Sequence, residues 1–288
     1  MRASFVIVNY NRKDEVLLTI QKTKEILKDA SAEYEIIIVD NASNDGSAEA
    51  IKATQPDVIL IENQINIGAP AWNRGFAKAT GKYFIILDDD SHLQKGLEEA
   101  IQYLDQNENV GVLALNIKGG AFETSKWKDL SDTIGFIGCG AILRKELYEK
   151  IGGYADWIFL YTNEYEYGIR CLDAGYKIRY FEKCEVIHRT SSINRTTKRL
   201  KVFSVRNEMA IVYKFFSKEK RMLYLFRVYL NNLKGIYIFG LSSIPWYYSA
   251  LIEFLKLRKT LKHTPVKKEV QDMYSKDYWS TKAFLNII

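Results

Sequence analysis

The amino-acid sequence predicts an α/β protein built around a mostly parallel sheet, and three observations lead to that prediction. Short apolar runs alternate with helix-like segments four times between residues 4 and 87, and short loops connect them. The fourth run lies in KYFIILDDDSH (82–92), where large and β-branched residues indicate a strand buried on both faces. That run ends in three consecutive aspartates, Asp88, Asp89 and Asp90. Ligands bind at the carboxyl ends of strands in open α/β sheets, so a ligand site is predicted there.

The individual elements follow from periodicity and turn signals. The first four strands are predicted at 4–8, 34–39, 58–61 and 83–87, separated by helices at 14–28, 48–54 and 71–80. Beyond them the pattern becomes mixed, with helices at 98–106, 144–151 and 163–174, strands at 110–117, 135–143, 177–181 and 185–188, and an irregular stretch at 119–132. The glycine spacing within 135–143 predicts that backbone or a ligand approaches this strand closely.

Composition restricts the class of protein. Of the 288 residues, 47% are hydrophobic and 26% are charged, which suits one large globular domain or a domain with an appendage. The start, MRASFVIVNYNR, becomes polar too quickly for a signal peptide and is predicted to form the first strand. Cys139, Cys171 and Cys184 lack metal-site spacing, which predicts buried thiols in a reducing cytosol rather than disulfides or a zinc site.

Positive charge is concentrated in the C-terminal part. The formal net charge is +6, yet residues 210–263 alone carry ten Lys/Arg against two Glu, interleaved with aromatic side chains. This change of composition predicts a boundary near residue 210. Residues 235–252 contain no charge and reach the lower limit of transmembrane length. Their glycines, Pro245 and clustered aromatics favour amphipathic helices that lie on the cytoplasmic leaflet, attracted by anionic lipid.

Two other interpretations of this C-terminal region stay open. The region could form a helical subdomain that packs on the preceding domain or on a second subunit, as in a homodimer. A nucleic-acid surface would also use basic and aromatic residues, but no recognised fold supports one, so no nucleic-acid partner is expected. Residues 264–288 are predicted to form a loose closing segment or a final small helix.

The three aspartates have two interpretations. Adjacent carboxylates repel one another unless a cation lies between them. Mg²⁺ or Mn²⁺ takes carboxylate oxygens together with substrate phosphates, which predicts a metal–diphosphate site. The alternative is a solvated acidic turn in which Asp90 or Ser91 caps a helix that begins near Gln94.

Several motifs occur together, and their order and spacing carry more information than any one of them. They are VNYNR (8–12), VDNASNDGS (39–47), ENQINIGAPAWNRG (62–75), LDDD (87–90), GCGAILRKEL (138–147), NEYEYGIRCLDAGY (163–176) and VIHRTSS (186–192). Over about residues 5–210 the chain resembles the family 2 glycosyltransferases, which have the GT-A fold. Within that family it is most similar to bacterial rhamnosyltransferase-like enzymes that build surface polysaccharides.

The resemblance implies a nucleotide-sugar site. Asp40 would contact the nucleobase, Asp88 the ribose hydroxyls, and Asp90 the metal, while Asp89 braces the loop. His188 would join the metal or the diphosphate. The motifs also place further nucleotide-sugar-binding residues at Val8, Tyr10, Arg12, Asn66 and Arg74, with Arg74 facing the base or the phosphates. Open alternatives are an Asx-turn role for Asp40, a surface role for Arg74, a loop-fixing role for Asn66 and a hydrogen-bonded strand-end role for His188.

The catalytic base is also implied by the resemblance. The family usually supplies it as the Asp of a Glu-Asp pair at a helix start; here the pair is Asn163-Glu164, which places Glu164 at the base position. Glu166 is the alternative base, and an acid in the first helical turn can equally serve the helix dipole alone. Gly138, Gly140 and Arg206 are expected near the acceptor or the diphosphate, although Arg206 could equally form a salt bridge.

Together these features predict an inverting, hexosyltransferase-type glycosyltransferase assisted by Mg²⁺ or Mn²⁺. It would use a dTDP- or UDP-sugar donor and a hydroxyl of a lipid-linked glycan, at the cytoplasmic face of the membrane. The catalytic domain is predicted at 1–209, with a donor half at about 1–117 and an acceptor half at about 118–209, followed by the helical region 210–288. A sugar-phosphate nucleotidyltransferase is disfavoured because residues 9–12 are not glycine-rich; an inactive membrane-associated scaffold is favoured only by Asn163.

Overall fold

The α/β fold predicted from the sequence is confirmed. A computed structural model describes residues 2–28, 32–120, 123–124, 126–189 and 196–280, together with the side chains up to residue 276. Nine strands in these residues form one mixed, mostly parallel sheet in the order β3-β2-β1-β4-β8-β6-β9-β5, with β7 pairing with β9. The strands are β1 (Ala3–Asn9), β2 (Tyr34–Asp40), β3 (Ile59–Glu62), β4 (Tyr83–Asp88), β5 (Ser91–Lys95), β6 (Val110–Lys118), β7 (Asp132–Thr133), β8 (Ala141–Arg144) and β9 (Lys177–His188).

Helices cover both faces of this sheet. They are α1 (Lys13–Leu27), α2 (Ser47–Thr54), α3 (Ala71–Lys78), α4 (Leu97–Gln106), α5 (Lys145–Ile151), α6 (Asn163–Asp173), α7 (Thr197–Phe215), α8 (Lys218–Leu233), α9 (Gly235–Phe239), α10 (Ile244–Leu257) and α11 (Lys268–Ser280). Side chains of α1, α2 and α4 pack on one face, and those of α3, α5 and α6 on the other. The first four strands are parallel, as expected when a helix follows each strand.

The apolar strands are buried on both sides, which explains their continuous hydrophobic sequence. In β1, Phe5 and Ile7 belong to the core under one layer of helices, while Val6 belongs to the core under the other. Ile85 and Ile86 in β4 divide between the two cores in the same way. Each fully buried side chain of this size contributes roughly 1.5–3 kcal/mol to stability, so the central strands form a rigid base for the loops at their ends.

Three local predictions are wrong. The strand predicted at 135–143 is formed only at Ala141–Arg144, because the N–H of Gly140 donates to the carbonyl of Ile137 at 3.1 Å and closes a turn there. The helix considered near Gln94 is strand β5, which pairs with β9, and α4 begins only at Leu97. The two strands predicted after residue 176 are one strand, β9, with an irregular register opposite β6. The irregular stretch at 119–132 falls partly outside the described residues.

The C-terminal helices pack on the catalytic part of the chain through a shared apolar core. Buried residues of α7, α8, α10 and α11 join Ile134 and Ile169 in one cluster. The boundary predicted near residue 210 falls within α7, so this helix belongs to both parts. Residues 235–252 are divided between α9, a short 3₁₀ helix (Leu241–Ser243) and α10. A bilayer-spanning segment is absent from the described helices, since none combines the necessary length with sufficient hydropathy.

Candidate nucleotide-sugar site

The carboxyl ends of three neighbouring strands bring the first motifs together. Val8 lies beside Asp88, and Asn9 beside Asp40, in the parallel register of β1 with β4 and β2. Asp40 is buried: Oδ1 accepts from Nδ2 of Asn9 at 2.8 Å, and Oδ2 accepts from the N–H of Ser43 at 3.0 Å. Asp40 therefore holds the β2 loop through an Asx-type bond at the carboxyl edge of the sheet.

Arg12 connects the first loop to the aspartates. Its Nη1 lies 2.7 Å from Oδ1 of Asp89 and 3.3 Å from Oδ2 of Asp90. Asp89 is buried and also accepts a weak bond from the N–H of Tyr10, at 3.3 Å. Burial raises the pKa of the Asp89 carboxyl, and the Arg12 charge offsets part of that rise. Arg12 and Tyr10 thus brace the aspartate loop from the β1 side.

Oxygen, nitrogen and sulfur atoms converge next to this loop. The ligand atoms of Asp88, Cys139 and His188 all lie within 4.8 Å of one another, and Nε2 of His188 lies 3.2 Å from Oδ1 of Asp90. Such atoms from β4, the turn before β8 and β9 are suitable ligands for a divalent cation. Sequence reasoning placed Asp90 and His188 here but missed Cys139, because its convergence with them depends on tertiary structure.

The loop after β3 is fixed by its amides. Oδ1 of Asn66 accepts from Nδ2 of Asn41 and from the N–H of Gly68, both at 2.9 Å. A Cβ at Gly68, where φ is +70°, would lie 1.9 Å from the carbonyl oxygen of Phe159, so only glycine fits. Arg74 on α3 is exposed and makes no hydrogen bond or ion pair with the described residues, which leaves its guanidinium available to a ligand.

Glu164 lies on the other side of the aspartates, in the first turn of α6. Its Oε1 accepts from the N–H of Gly138 at 3.2 Å, and a Cβ on Gly138 would lie 2.5 Å from that oxygen. Burial raises the pKa of Glu164 to about 7, and the negative charge of Asp88 adds to the rise. The charges of Glu164 and Asp88 are therefore close enough to interact. A carboxylate with a pKa near neutrality is suited to accept a proton.

Glu166, the alternative base, has a different environment. Its side chain is 1% exposed and forms a forked ion pair with Arg170, with contacts of 2.7 to 3.1 Å. Arg170 also donates to the carbonyls of Ile151 and Gly153, both at 2.7 Å. This network ties α6 to the end of α5.

Gly140 packs against Val186 of β9 and Ile117 of β6. Because Gly140 has no side chain, these two strands can approach it closely.

Tyr154 and Arg189 are site residues that sequence reasoning missed. The Tyr154 hydroxyl is buried without a hydrogen bond to the described residues, and burial together with the Glu164 charge raises its pKa well above the usual value. It therefore stays protonated. Arg189 links the end of β9 to α1, since it donates to Glu15 at 2.7 Å and to Thr19 at 2.6 Å. The position of Arg189 directly after His188 was the only available signal.

The chain before α6 has an unusual backbone. Tyr161 and Thr162 both have positive φ, 64° and 61°, which costs roughly 1–3 kcal/mol for each such residue. Arg206 donates from Nη2 to the carbonyl of Trp157 at 3.1 Å and from Nε to Oδ1 of Asn207 at 2.9 Å. Arg206 therefore contacts this segment directly. Its two hydrogen bonds are to an amide oxygen and a carbonyl rather than to a carboxylate.

The mixed sheet, the aspartates at the end of β4 and the raised pKa of Glu164 agree with the GT-A fold expected from the sequence. The family model described as glycosyl transferase family 2 matches residues 4–167, and the chain belongs to that family. The predicted family and fold are thereby confirmed.

Individual relatives match shorter stretches. Undecaprenyl-phosphate 4-deoxy-4-formamido-L-arabinose transferase of Photorhabdus laumondii is 37% identical over 103 residues, 34% of this chain and 31% of that protein. Amylovoran biosynthesis glycosyltransferase AmsB of Erwinia amylovora is 30% identical over 116 residues, 38% of this chain and 37% of that protein. The chain thus spans about a third of the length of these curated relatives.

A solved structure matches over nearly the whole chain. The mannosyltransferase PcManGT of Pyrobaculum calidifontis, determined with GDP-mannose and Mn²⁺, superposes with a TM-score of 0.61 at 16% identity. The match covers 99% of this chain and 83% of that one. At this identity the likeness shows the fold, and it extends across the C-terminal helices.

Proposed function

We propose that this protein is an inverting glycosyltransferase that moves a sugar from a nucleoside-diphosphate donor to a hydroxyl of a lipid-linked glycan. The observation that carries the proposal is Glu164, a half-buried carboxylate with a pKa of about 7 whose charge interacts with that of Asp88. One carboxylate base opposite a diphosphate site is what a single displacement needs, and a single displacement inverts the anomeric carbon.

The protein's own residues divide the work. Asp40 and the Asn66 loop would hold the nucleobase side of the donor, and Asp88 the ribose. Glu164 would take the proton from the acceptor hydroxyl as the oxygen attacks the anomeric carbon, and the bond to the diphosphate breaks in the same step. Asp90 and His188 would hold Mg²⁺ or Mn²⁺, which when bound neutralises the charge of the leaving diphosphate.

Glu164 is a better base than Glu166 for a physical reason. Protonation of Glu166 would break its forked pair with the Arg170 cation inside the fold, whereas the groups that bond the Glu164 carboxylate, among them the N–H of Gly138 and the side chain of Asn163, are uncharged. The usual Asp is replaced by a glutamate that is one methylene longer, and the raised pKa supports a catalytic role for Glu164 over an inactive scaffold.

The acceptor assignment rests on the relatives and on the surface of the C-terminal helices. One relative is named as an undecaprenyl-phosphate transferase and another as an exopolysaccharide enzyme, which favours a lipid-linked acceptor in surface polysaccharide synthesis. Nine of the twelve exposed large apolar side chains in the described residues lie between 222 and 248: Met222, Leu223, Phe226, Leu230, Tyr237, Ile238, Leu241, Ile244 and Tyr248. We call these nine the apolar patch.

Exposed basic side chains lie near the apolar patch in sequence. They are Lys218, Arg227 and Lys234, together with Lys256 and Arg258 at the end of α10. Exposed apolar side chains interleaved with cations match an anionic lipid surface, so we place the enzyme peripherally on the cytoplasmic leaflet. Packing of the same patch against a second copy is the competing interaction.

The donor site is tested by calorimetric binding of UDP, dTDP and GDP, with and without Mn²⁺, to the wild type and to Asp90→Ala. We expect one nucleotide to bind in a Mn²⁺-dependent way, with affinity lost in Asp90→Ala. Lys220→Ala, which breaks a surface ion pair with Asp272 in the C-terminal helices, is the control. Absence of binding by every nucleotide would remove the basis of the donor-site assignment.

A further inference from the structure

Asn207 lies on α7 directly opposite the chain segment 157–162, which leads into α6. Its side chain is fully buried, and Nδ2 donates to the carbonyls of Leu160 and Tyr161, both at 2.8 Å. Its Oδ1 accepts from Nε of Arg206 at 2.9 Å. Both amide hydrogens of Asn207 therefore bond to consecutive carbonyls of one segment, and the bond from Arg206 fixes the orientation of the amide.

The segment held in this way has an unfavourable backbone conformation that needs support from neighbouring groups. Tyr161 and Thr162 are consecutive non-glycine residues in the left-handed region, with φ of 64° and 61°. Such residues persist only where the surroundings hold them. The carbonyl of Thr162 then accepts from the N–H of Glu166 at 3.0 Å, which begins α6 and sets the direction of Glu164.

The same segment also contacts the loop after β3, which carries Asn66 and Gly68. The carbonyl of Phe159 accepts from the N–H of Ala69 at 2.7 Å, next to the glycine at 68 whose missing side chain makes room for it. Segment 157–162 thus connects the loop after β3 to α6, the helix that carries Glu164. Asn207 is the side chain that holds the carbonyls of Leu160 and Tyr161 within it.

We propose that Asn207, braced by Arg206, is a positioning residue that holds segment 157–162 so that Glu164 faces the acceptor hydroxyl. This inference rests on the proposed function, because it needs Glu164 to be the base. It gives the Arg206–Asn207 pair a task distinct from contact with the diphosphate or the acceptor. It also predicts that α7, which packs on α10, forms the mechanical link between the C-terminal helices and the base.

The test compares Asn207→Ala with Asn116→Ala. Asn116 is a matched control, since it is 2% exposed and its Nδ2 also donates to a backbone carbonyl, that of Glu182 at 3.0 Å. Turnover is followed as nucleoside diphosphate released from a sugar donor of the nucleotide selected by calorimetry, with a short polyprenyl-diphosphate-linked saccharide, which offers sugar hydroxyls, as acceptor. For Asn207→Ala we expect kcat to fall roughly 10- to 100-fold, with KM for the donor unchanged within roughly threefold. Asn116→Ala is expected to lose stability and keep kcat.

A second readout does not depend on substrate. The titration of Glu164 is measured by ¹³C NMR of labelled glutamate carboxyls, assigned by its absence in Glu164→Gln. In Asn207→Ala we expect its midpoint to drop from about 7 toward the ordinary glutamate value, because the released helix start exposes the carboxylate. Asn116→Ala should leave this midpoint in place.

Arg206→Met keeps the test decisive if Asn207→Ala does not fold. It removes the bonds to Trp157 and Asn207 from a partly exposed side chain, and a smaller fall in kcat with a lowered Glu164 midpoint is expected. A raised KM with an unchanged midpoint would instead make Arg206 a substrate contact and overturn the inference. Normal kcat in Asn207→Ala would overturn it as well. Normal turnover in Glu164→Gln is a separate result, since it removes the base assignment itself.

Discussion

The backbone N–H of Gly138 donates to the carboxylate of Glu164 at 3.2 Å, and no room exists between them for a side chain. A β-carbon at position 138 would lie 2.5 Å from Oε1 of Glu164. The glycine of the turn before β8 and the glutamate of α6 therefore specify one another's positions. The motifs that contain them are far apart in sequence, and this contact brings them into one site.

This contact gives a steric prediction. Gly138→Ala should push the Glu164 carboxylate aside and lower kcat by about 10- to 100-fold, with donor affinity preserved. Steady-state kinetics measure both. Gly111→Ala is the matched control, because its β-carbon would meet Leu147 at 2.7 Å in the core and not the site. Equal losses in the two variants would mean that general destabilisation is responsible.

Substitution of the two glutamates separates catalysis from structure. Glu164→Gln cannot accept a proton, so kcat should fall by about 10²- to 10⁴-fold while the variant stays folded. Glu166→Gln should weaken the pair with Arg170 and lower Tm while kcat stays within a few-fold of wild type. Thermal melts and initial rates distinguish the outcomes, and the reverse pattern would identify Glu166 as the base.

Turnover should depend on pH through Glu164. The base acts when deprotonated, so kcat is expected to rise with pH and level off above about 7, the raised pKa of this carboxyl. The ascending limb should be absent in the residual activity of Glu164→Gln. A limb centred near the ordinary glutamate value would show that Glu164 is not the titrating group.

The same raised pKa lowers stability at neutral pH. Burial favours the protonated form, so Glu164 contributes fully to stability below its ordinary value of 4.5 and loses that contribution as pH rises through about 7. Glu164→Gln should therefore be more stable than wild type at pH 8 by on the order of 2 kcal/mol, and about equal at pH 4.5. Urea unfolding of both proteins at the two pH values measures the difference, and a pH-independent difference would contradict it.

The metal-binding residues make a separable prediction. His188→Gln should weaken Mn²⁺ binding by about tenfold or more, because an imidazole ligand next to Asp90 is lost. Electron paramagnetic resonance of free Mn²⁺ measures binding directly. His263→Gln is the control, since the hydrogen bond of the His263 ring is to the carbonyl of Phe216. Unchanged binding in His188→Gln would place the metal elsewhere.

The apolar patch gives a prediction about membranes. Wild-type protein should sediment with phosphatidylglycerol vesicles in a salt-sensitive way, and a Phe226→Ser, Tyr237→Ser double variant should bind about tenfold more weakly. Ile65→Ser removes an exposed apolar side chain outside the patch and should bind like wild type. If the double variant binds vesicles as tightly as wild type, the lipid assignment is contradicted. If wild type is a dimer and the double variant is a monomer, the patch is assigned to contact with a second copy.

Part of the candidate site could be predicted because it depends on local sequence. Asp40 and Asp88–Asp90 end apolar strands, and strand ends in a parallel sheet meet at one edge whatever the rest of the chain does. His188 and Glu164 came from motif spacing. Cys139, Tyr154 and Arg189 could not be found in this way, since they enter the site through packing between distant segments.

The sequence by itself determined where the first four strands lie along the chain, the two-sided burial of β4 and the carboxylate edge, because apolar periodicity and strand-end polarity are local properties. Only the tertiary structure decided that residues 135–140 turn, that β9 is one strand, and that Glu164 and Glu166 have different environments. Two glutamates two residues apart look equivalent in sequence. The placement of Arg170 beside one, and of Gly138 and Asp88 beside the other, makes the first an ion-pair partner and raises the pKa of the second.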